Sequence, residues 1–81
     1  AFRVHDYWVV AGVLRCEVSV NLKIGICELL TIDAESSRFK TPILKIEKNR
    51  EFVQNALHGD RVGLLIDLPR NIEVSRGMYV I

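Results

Sequence analysis

The chain has 81 residues, of which 49% are hydrophobic and 26% charged, and its formal net charge is +1 at pH 7. A chain of this length builds one domain around one core, and this composition supplies enough apolar surface for that core. A chain of this length leaves no room for a nucleotide-hydrolysing domain beside that one domain. Because the net charge is close to zero, any nucleic-acid contact must come from a local basic patch.

The cysteines and the apolar runs narrow the class of protein further. Cys16 and Cys27 are too few and too far apart for a disulfide scaffold or a zinc site. We expect both to be reduced and partly buried. No apolar run approaches the roughly 18 residues of a membrane span, and no basic segment precedes an apolar one as in a secretion signal. The sequence therefore predicts a soluble, cytoplasmic protein with no membrane partner.

The first part of the chain predicts two strands. Residues 2–5 alternate apolar and polar side chains as a half-buried strand does, and Asp6 and Tyr7 interrupt the pattern. Residues 8–18 form a long run rich in β-branched side chains, in which Gly12 predicts a bend or bulge. Such bends are typical of strands that turn the corner of a barrel.

The middle of the chain predicts two further strands. Residues 21–25 predict a turn with Gly25 as its positive-φ residue, followed by a strand over residues 26–32. Residues 33–38 are polar and predict a loop. Residues 41–48 predict a strand with a proline near its start, where a missing N–H is tolerated.

The last part of the chain adds two strands and one ambiguous segment. In residues 49–57, Asn49 suits a helix cap and apolar residues recur at helical spacing until Gly59. Residues 61–67 and 77–81 predict strands. Six short strands with turns at fairly regular intervals predict an all-β fold, a small closed six-stranded antiparallel β-barrel.

Catalytic motifs do not occur in the sequence. It contains no GxxxxGK[ST], GxGxxG or HExxH pattern. His58, Asp60 and Ser75 are the residue types of a hydrolytic triad, but no nucleophile elbow accompanies them, and turn polarity explains His58 better. We therefore expect no enzyme activity, no cofactor and no metal site.

Three stretches share the pattern of one known family. Residues 22–25 read Leu-Lys-Ile-Gly, residues 45–65 contain I-E, V-x-x-A and G-D-x-V-G-L-L in that order, and residues 74–80 contain R-G. In order and approximate spacing they resemble the second domain of elongation factor Tu, elongation factor one-alpha and the initiation factors with the same barrel. The resemblance covers nearly the whole chain.

The resemblance implies a translation-factor second domain, in which residues 49–57 are extended and the barrel contacts ribosomal RNA or tRNA. Arg50 matches an arginine near the pocket for the aminoacyl end of tRNA. Residues 6–8, Asp-Tyr-Trp, stand where that family has a glycine-containing loop, and Arg61 replaces a frequent asparagine. Because of these two departures, we do not extend capture of an aminoacylated tRNA end to this chain.

Basic residues at predicted strand ends and loops are the candidate RNA-binding side chains, because several arginines on one barrel rim would contact phosphates. The alternative is an ordinary solvated surface, in which acidic residues interleave with the basic ones. The candidates are Arg15, Lys48, Arg50, Arg61, Arg70 and Arg76.

Two aromatic residues are further candidates. Tyr7 and Trp8 have the chemistry to stack on an unpaired base, as aromatics on small RNA-binding barrels do. Core packing of Trp8 and plugging of the barrel mouth by Tyr7 are the alternatives, and we favour them for both residues.

The sequence thus predicts a non-catalytic module that binds RNA or the ribosome through a basic rim around Arg50 and Arg61. One alternative is a barrel that docks a protein partner. Another is a domain of a larger GTPase that packs on its nucleotide domain. Clustered arginines would favour RNA, whereas a contiguous exposed apolar patch would favour a protein.

Overall fold

The computed structural model describes residues 2–34, 37–67 and 79–80, which form strands and turns with no helix among them. The strands differ greatly in length, from two residues to twelve. They are β1 Arg3–Val10, β2 Val13–Ser19, β3 Ile24–Gly25, β4 Leu29–Ala34, β5 Ser37–Lys48, β6 Glu51–Val53, β7 Asn55–Ala56, β8 Arg61–Asp67 and β9 Tyr79–Val80.

One antiparallel sheet contains seven of these strands. Its order is β1-β2-β8-β5-β4-β9, and β6 pairs with β5 beside this path. The strands β3 and β7 form a second, two-stranded sheet through Ile24 opposite Ala56. The fold is therefore all-β, as the sequence predicts, and the pairs are antiparallel.

The prediction of a closed six-stranded barrel is wrong for the described residues. The sheet curls until β9 approaches β1, but no hydrogen-bonded pair joins these two strands in the part of the chain that is described. Barrel closure requires that last pairing. The predicted loop at residues 33–38 is also wrong, because β4 extends to Ala34 and β5 begins at Ser37.

The core is built by strict alternation along two neighbouring strands. In β2, Leu14, Cys16 and Val18 point inward, and the partner strand β8 supplies Val62, Leu64 and Ile66. Complete burial of an aliphatic side chain of this size contributes about 1.5–3 kcal/mol. The other buried hydrophobic residues are Phe2, Val20, Ile24, Leu30, Ile32, Ile43, Ile46 and Ala56.

The long strand β5 changes its register at a bulge. Ile43 lies opposite Ile66 and Lys45 lies opposite Leu65, so Leu44 is the extra residue. This irregularity turns both Ile43 and Ile46 into the core although they are three residues apart. It also leaves Leu44 at the surface.

Gly12 lies in a hairpin turn, so the prediction of one strand over residues 8–18 is wrong. Ala11 and Gly12 have φ values of 51° and 76° and join Val10 of β1 to Val13 of β2. Two-residue hairpin loops with positive φ at both central residues match the right-handed twist of the flanking strands. The alanine occupies a position that favours asparagine or glycine.

The segment 49–57 is extended, as the resemblance implies, and not helical. Asn49 and Arg50 have φ values of 53° and 67° and connect Lys48 of β5 to Glu51 of β6. Asparagine is common at the first position of such a turn, whereas arginine at the second is unusual. Arg50 therefore sits at a hairpin tip in a backbone conformation that is costly for its residue type.

The turn before β4 has a different positive-φ residue from the predicted one. Cys27 has a φ of 69°, whereas Gly25 is absent from the positive-φ glycines of the described chain. The N–H of Glu28 donates to the carbonyl of Gly25 over 3.3 Å, which closes a four-residue turn around Ile26 and Cys27. Gly25 serves close packing instead, since a Cβ there would lie 3.0 Å from Oδ1 of Asn55.

Substitution of Ala11 by asparagine should stabilise the domain. The Ala11→Asn variant keeps the turn and removes most of the left-handed penalty of alanine, so we expect a gain of about 0.5–1 kcal/mol in the free energy of unfolding. The measurement is the urea midpoint of the variant against the parent. Ala11→Val is the control and should lower the midpoint, and equal midpoints for all three proteins would contradict the turn assignment.

Candidate nucleic-acid interface on the outer face of the sheet

The face of the sheet opposite the core carries a row of chemically distinctive side chains. We call it the outer face and define it by Trp8 on β1, Arg15 and Glu17 on β2, Arg61, Gly63 and Leu65 on β8, and Glu47 on β5. Trp8 lies opposite Arg15, and Arg15 lies opposite Leu65. Gly63 lies between Glu17 and Glu47. Register alone therefore brings these residues from four strands together.

Arg15 is the centre of the outer face. Its Nη1 donates to Oε2 of Glu47 over 2.8 Å and its Nη2 donates to Oε1 over 3.2 Å, which is a two-pronged ion pair. The guanidinium carbon lies 5.2 Å from the centre of the Trp8 ring. Such forked pairs fix the guanidinium plane as well as its charge.

Gly63 makes this arrangement possible. A Cβ at Gly63 would lie 2.8 Å from Nη2 of Arg15 and 2.9 Å from its Cζ. The guanidinium therefore lies directly against the backbone of β8 and crosses from β2 to Glu47 on β5. A side chain at position 63 would displace it.

Two further candidate cations also have carboxylate partners. Arg61 donates through Nε to Oε1 of Glu17, close to the Arg15 pair on the same face. Lys48 bonds to Oδ1 of Asp60 over 3.1 Å. The other oxygen of Asp60 accepts the N–H of Leu57 over 2.9 Å, and this bond, with the contribution of Lys48, lowers the pKa of Asp60.

Arg50 differs from these three residues. It is exposed at the tip of the β5–β6 hairpin, and no carboxylate of the described chain pairs with it. The structure thus brings Arg15 and Arg61 onto one face, whereas Lys48 turns toward Asp60 and Arg50 lies at a separate tip. Arg70 and Arg76 lie outside the described residues.

The two candidate aromatics lie on opposite sides of β1. Trp8 is 42% exposed on the outer face, so its prediction as a core residue is wrong. Tyr7 lies opposite Cys16 and packs partly buried against the core. Trp8 therefore offers a surface for a partner, whereas most of Tyr7 is occupied by packing.

Sequence reasoning missed Glu47 and Gly63, which hold Arg15 in place. In the sequence, Glu47 is one of several acidic residues that interleave with the basic ones, and Gly63 belongs to the pattern of residues 45–65. A signal does exist in the sequence: within each strand these residues occupy positions of outward parity. The register between strands is needed to align them, and the sequence does not state it.

The two cysteines differ in environment, contrary to the expectation that both are partly buried. Cys16 is fully buried and Cys27 is exposed, and both are free. Burial raises the pKa of Cys16 to about 12, against a smaller lowering by Arg15. Cys16 is therefore an inert core thiol.

No protein-family model matches this chain, and a search of curated proteins finds no match. The likeness to translation-factor second domains thus stays a prediction. Within residues 2–34, 37–67 and 79–80, no group of histidine, cysteine or acidic residues is arranged to hold a metal ion. The same residues include no helix with the length and hydropathy to cross a membrane.

Substitution of Gly63 by alanine should disturb Trp8 from a distance. The new methyl group displaces Arg15, which loses both Glu47 and the indole ring, and we expect a stability loss of about 1 kcal/mol. Because Trp8 is the single tryptophan, its fluorescence reports the change directly. Acrylamide quenching of Gly63→Ala should exceed that of the parent and match Arg15→Ala, and an unchanged quenching constant would contradict the contact.

The environments of the two cysteines predict that one thiol reacts rapidly in the native protein and the other does not. Ellman's reagent at pH 8 should label Cys27 of the native protein within seconds to minutes and Cys16 only after unfolding, because the thiolate is the reactive form. Cys27→Ser should remove the fast phase. Two fast equivalents in the native protein would show that Cys16 is accessible.

Proposed function

We propose that this domain is a non-catalytic RNA-binding module of the translation-factor type. It binds structured RNA, either ribosomal RNA or tRNA, through the outer face and the neighbouring Arg50 tip. The observation that carries the proposal is that an exposed tryptophan and two arginines come together on one sheet face. RNA-binding sheets commonly use exposed aromatic side chains to stack on bases and basic side chains to contact phosphates.

The ion pairs of the outer face leave donors for phosphate. Arginine has five N–H donors in a rigid fork. Arg15 uses two of them on Glu47, and Arg61 uses its Nε–H on Glu17. The remaining N–H groups still suit a phosphate oxygen, while the carboxylates fix the orientation of the side chains.

Arg50 follows Glu47 of the outer face by three residues and has no carboxylate partner among the described residues. Its left-handed backbone is costly for arginine, and such conformations concentrate at functional positions. A turn selected only for stability would have glycine there. This combination of an unfavourable backbone and a guanidinium with no carboxylate partner in the described part of the chain supports a role for Arg50 in binding.

Protein docking is a second candidate, and a specific observation favours it. The three paired cations, Arg15, Lys48 and Arg61, have already been neutralised by Glu47, Asp60 and Glu17. A nearly neutral face with an exposed tryptophan and a fixed arginine also resembles the central part of protein interfaces. The salt dependence of binding distinguishes the two functions, because phosphate contacts weaken as the salt concentration rises.

The test is binding of the purified domain to ribosomes and to total RNA at about 50 and 200 mM salt. The double variant Arg50→Glu/Arg61→Glu should lose at least tenfold in affinity at low salt, and the slope of log affinity against log salt should fall by about 1 per lost phosphate contact. The double variant Lys23→Glu/Lys40→Glu makes the same change of charge at exposed positions that are not among the residues defining the outer face.

Equal losses in both double variants would mean that binding responds to total charge and not to this face. Binding to ribosomes that does not depend on salt, with none to free RNA, would favour protein docking. The absence of binding to either preparation at low salt would contradict the proposed function.

A further inference from the structure

The edge of the sheet beside the β5–β6 hairpin contains an open groove that adjoins the outer face, because Lys45 lies opposite Leu65 and Phe52 lies opposite Glu47. Its volume is about 250 Å³. We call it the edge groove, and it is lined by Ile26, Leu44, Lys45, Ile46, Phe52, Val53 and Gln54. The groove lies where the bulge in β5 exposes Leu44 and where the N–H of Ile26 donates to the carbonyl of Gln54 over 3.1 Å.

Two large apolar side chains remain exposed at this groove. Phe52 is 62% exposed and Leu44 is 45% exposed. Ile46, by contrast, is fully buried and forms part of the floor. A concave apolar surface between two exposed hydrophobic residues is characteristic of a recognition site for an apolar side chain.

Lys45 gives the groove its electrostatic character, because it is the one charged residue in the described part of the lining. The ammonium lies 4.6 Å from the centre of the Phe52 ring, and among the described residues no carboxylate pairs with it. The stem of Lys45 is thus held along an aromatic face while its charge stays available to a partner.

We propose that the edge groove binds an acidic peptide segment of a protein partner, with one apolar side chain seated between Leu44 and Phe52 and a carboxylate on Lys45. The volume falls below the roughly 300–1,000 Å³ of small-molecule pockets and suits one or two aliphatic side chains. This site borders the proposed RNA-binding face at Leu65 and Glu47, and it goes beyond the proposed function because it takes a different class of ligand.

The test uses amide NMR of the whole domain with two synthetic probes. One is acetyl-Asp-Glu-Leu-Leu-Glu-Asp-amide, and the other has lysine at each acidic position. Addition of the acidic peptide should change the chemical shifts of the backbone amide resonances of residues 26, 44–46 and 52–54. The basic peptide should leave them unchanged.

Charge reversal at Lys45 makes the test specific. Lys45→Glu should lower the affinity for the acidic peptide by about fivefold or more. The same variant should bind the basic peptide, with shifts at the same amide resonances. Lys23→Glu is the matched control and should change neither affinity. Both substitutions lie at exposed positions, so the amide spectrum of each variant should keep the dispersion of the parent.

A second pair of variants tests the apolar contact. Phe52→Ala should abolish saturable binding of the acidic peptide, whereas Leu22→Ala, at a residue with nearly equal exposure, should leave it intact. Three results would overturn the proposal: no shifts at the groove up to millimolar peptide, equal binding of both peptides, or no effect of Lys45→Glu. Shifts at the groove that arise instead from a uridine oligonucleotide, or from raising the protein concentration alone, would assign it to RNA or to a second copy and also overturn the proposal.

Discussion

The antiparallel pairing of β2 with β8 is the constraint on which the rest of the structure depends. Cys16 lies opposite Leu64, and this register places Leu14, Cys16 and Val18 in the core. The side-chain period of a strand is two, so a slip by one residue would exchange the two faces. It would bury Arg15, whose charge is costly without a partner, and expose the aliphatic residues. Core and outer face are therefore two results of one register.

The long strand β5 carries this arrangement to the remaining sheet. It pairs with β4 along its first half and with β8 and β6 along its second half. The bulge at Leu44 keeps Ile43 and Ile46 inside while it bends the strand, so the sheet curls. The same bulge places Glu47 on the outer face and opens the edge groove. One irregularity thus positions both candidate binding surfaces.

Alternation and β-branched content were sufficient to predict an all-β fold and the strand at residues 61–67, which β8 matches. The turn positions were harder to predict, because Ala11 and Cys27 adopt left-handed backbones that their residue types do not suggest. Tertiary pairing overrides local preference at such positions. The polar composition of residues 33–38 predicts a loop, although a solvated strand end tolerates the same composition.

The candidate site was predicted in its residue types and not in its arrangement. The sequence identifies the arginines, at predicted strand ends and loops, but not their partners, because Glu47 lies 32 residues from Arg15 in sequence. The exposure of Trp8 was mispredicted for the same reason: strand parity is meaningful only after the register is known. Where the hairpin turns are misplaced, the faces of the adjacent strands are misassigned as well.

Contacts between α-protons across β2 and β8 provide the most direct test of this account. Opposed pairs of an antiparallel ladder alternate between hydrogen-bonded and non-hydrogen-bonded, and only the non-hydrogen-bonded ones bring their α-protons close together. Nuclear Overhauser effects should therefore link the α-protons of every second pair in the register Arg15–Leu65, Cys16–Leu64 and Glu17–Gly63, and the amide protons of the pairs between them. Contacts from the Arg15 side chain to the α-protons of Gly63 should accompany them. This pattern would confirm that a single register sets both the core and the outer face. A pattern displaced by one residue, with Cys16 opposite Gly63 or Leu65, would contradict the account, because Arg15 and Glu47 would no longer share a face.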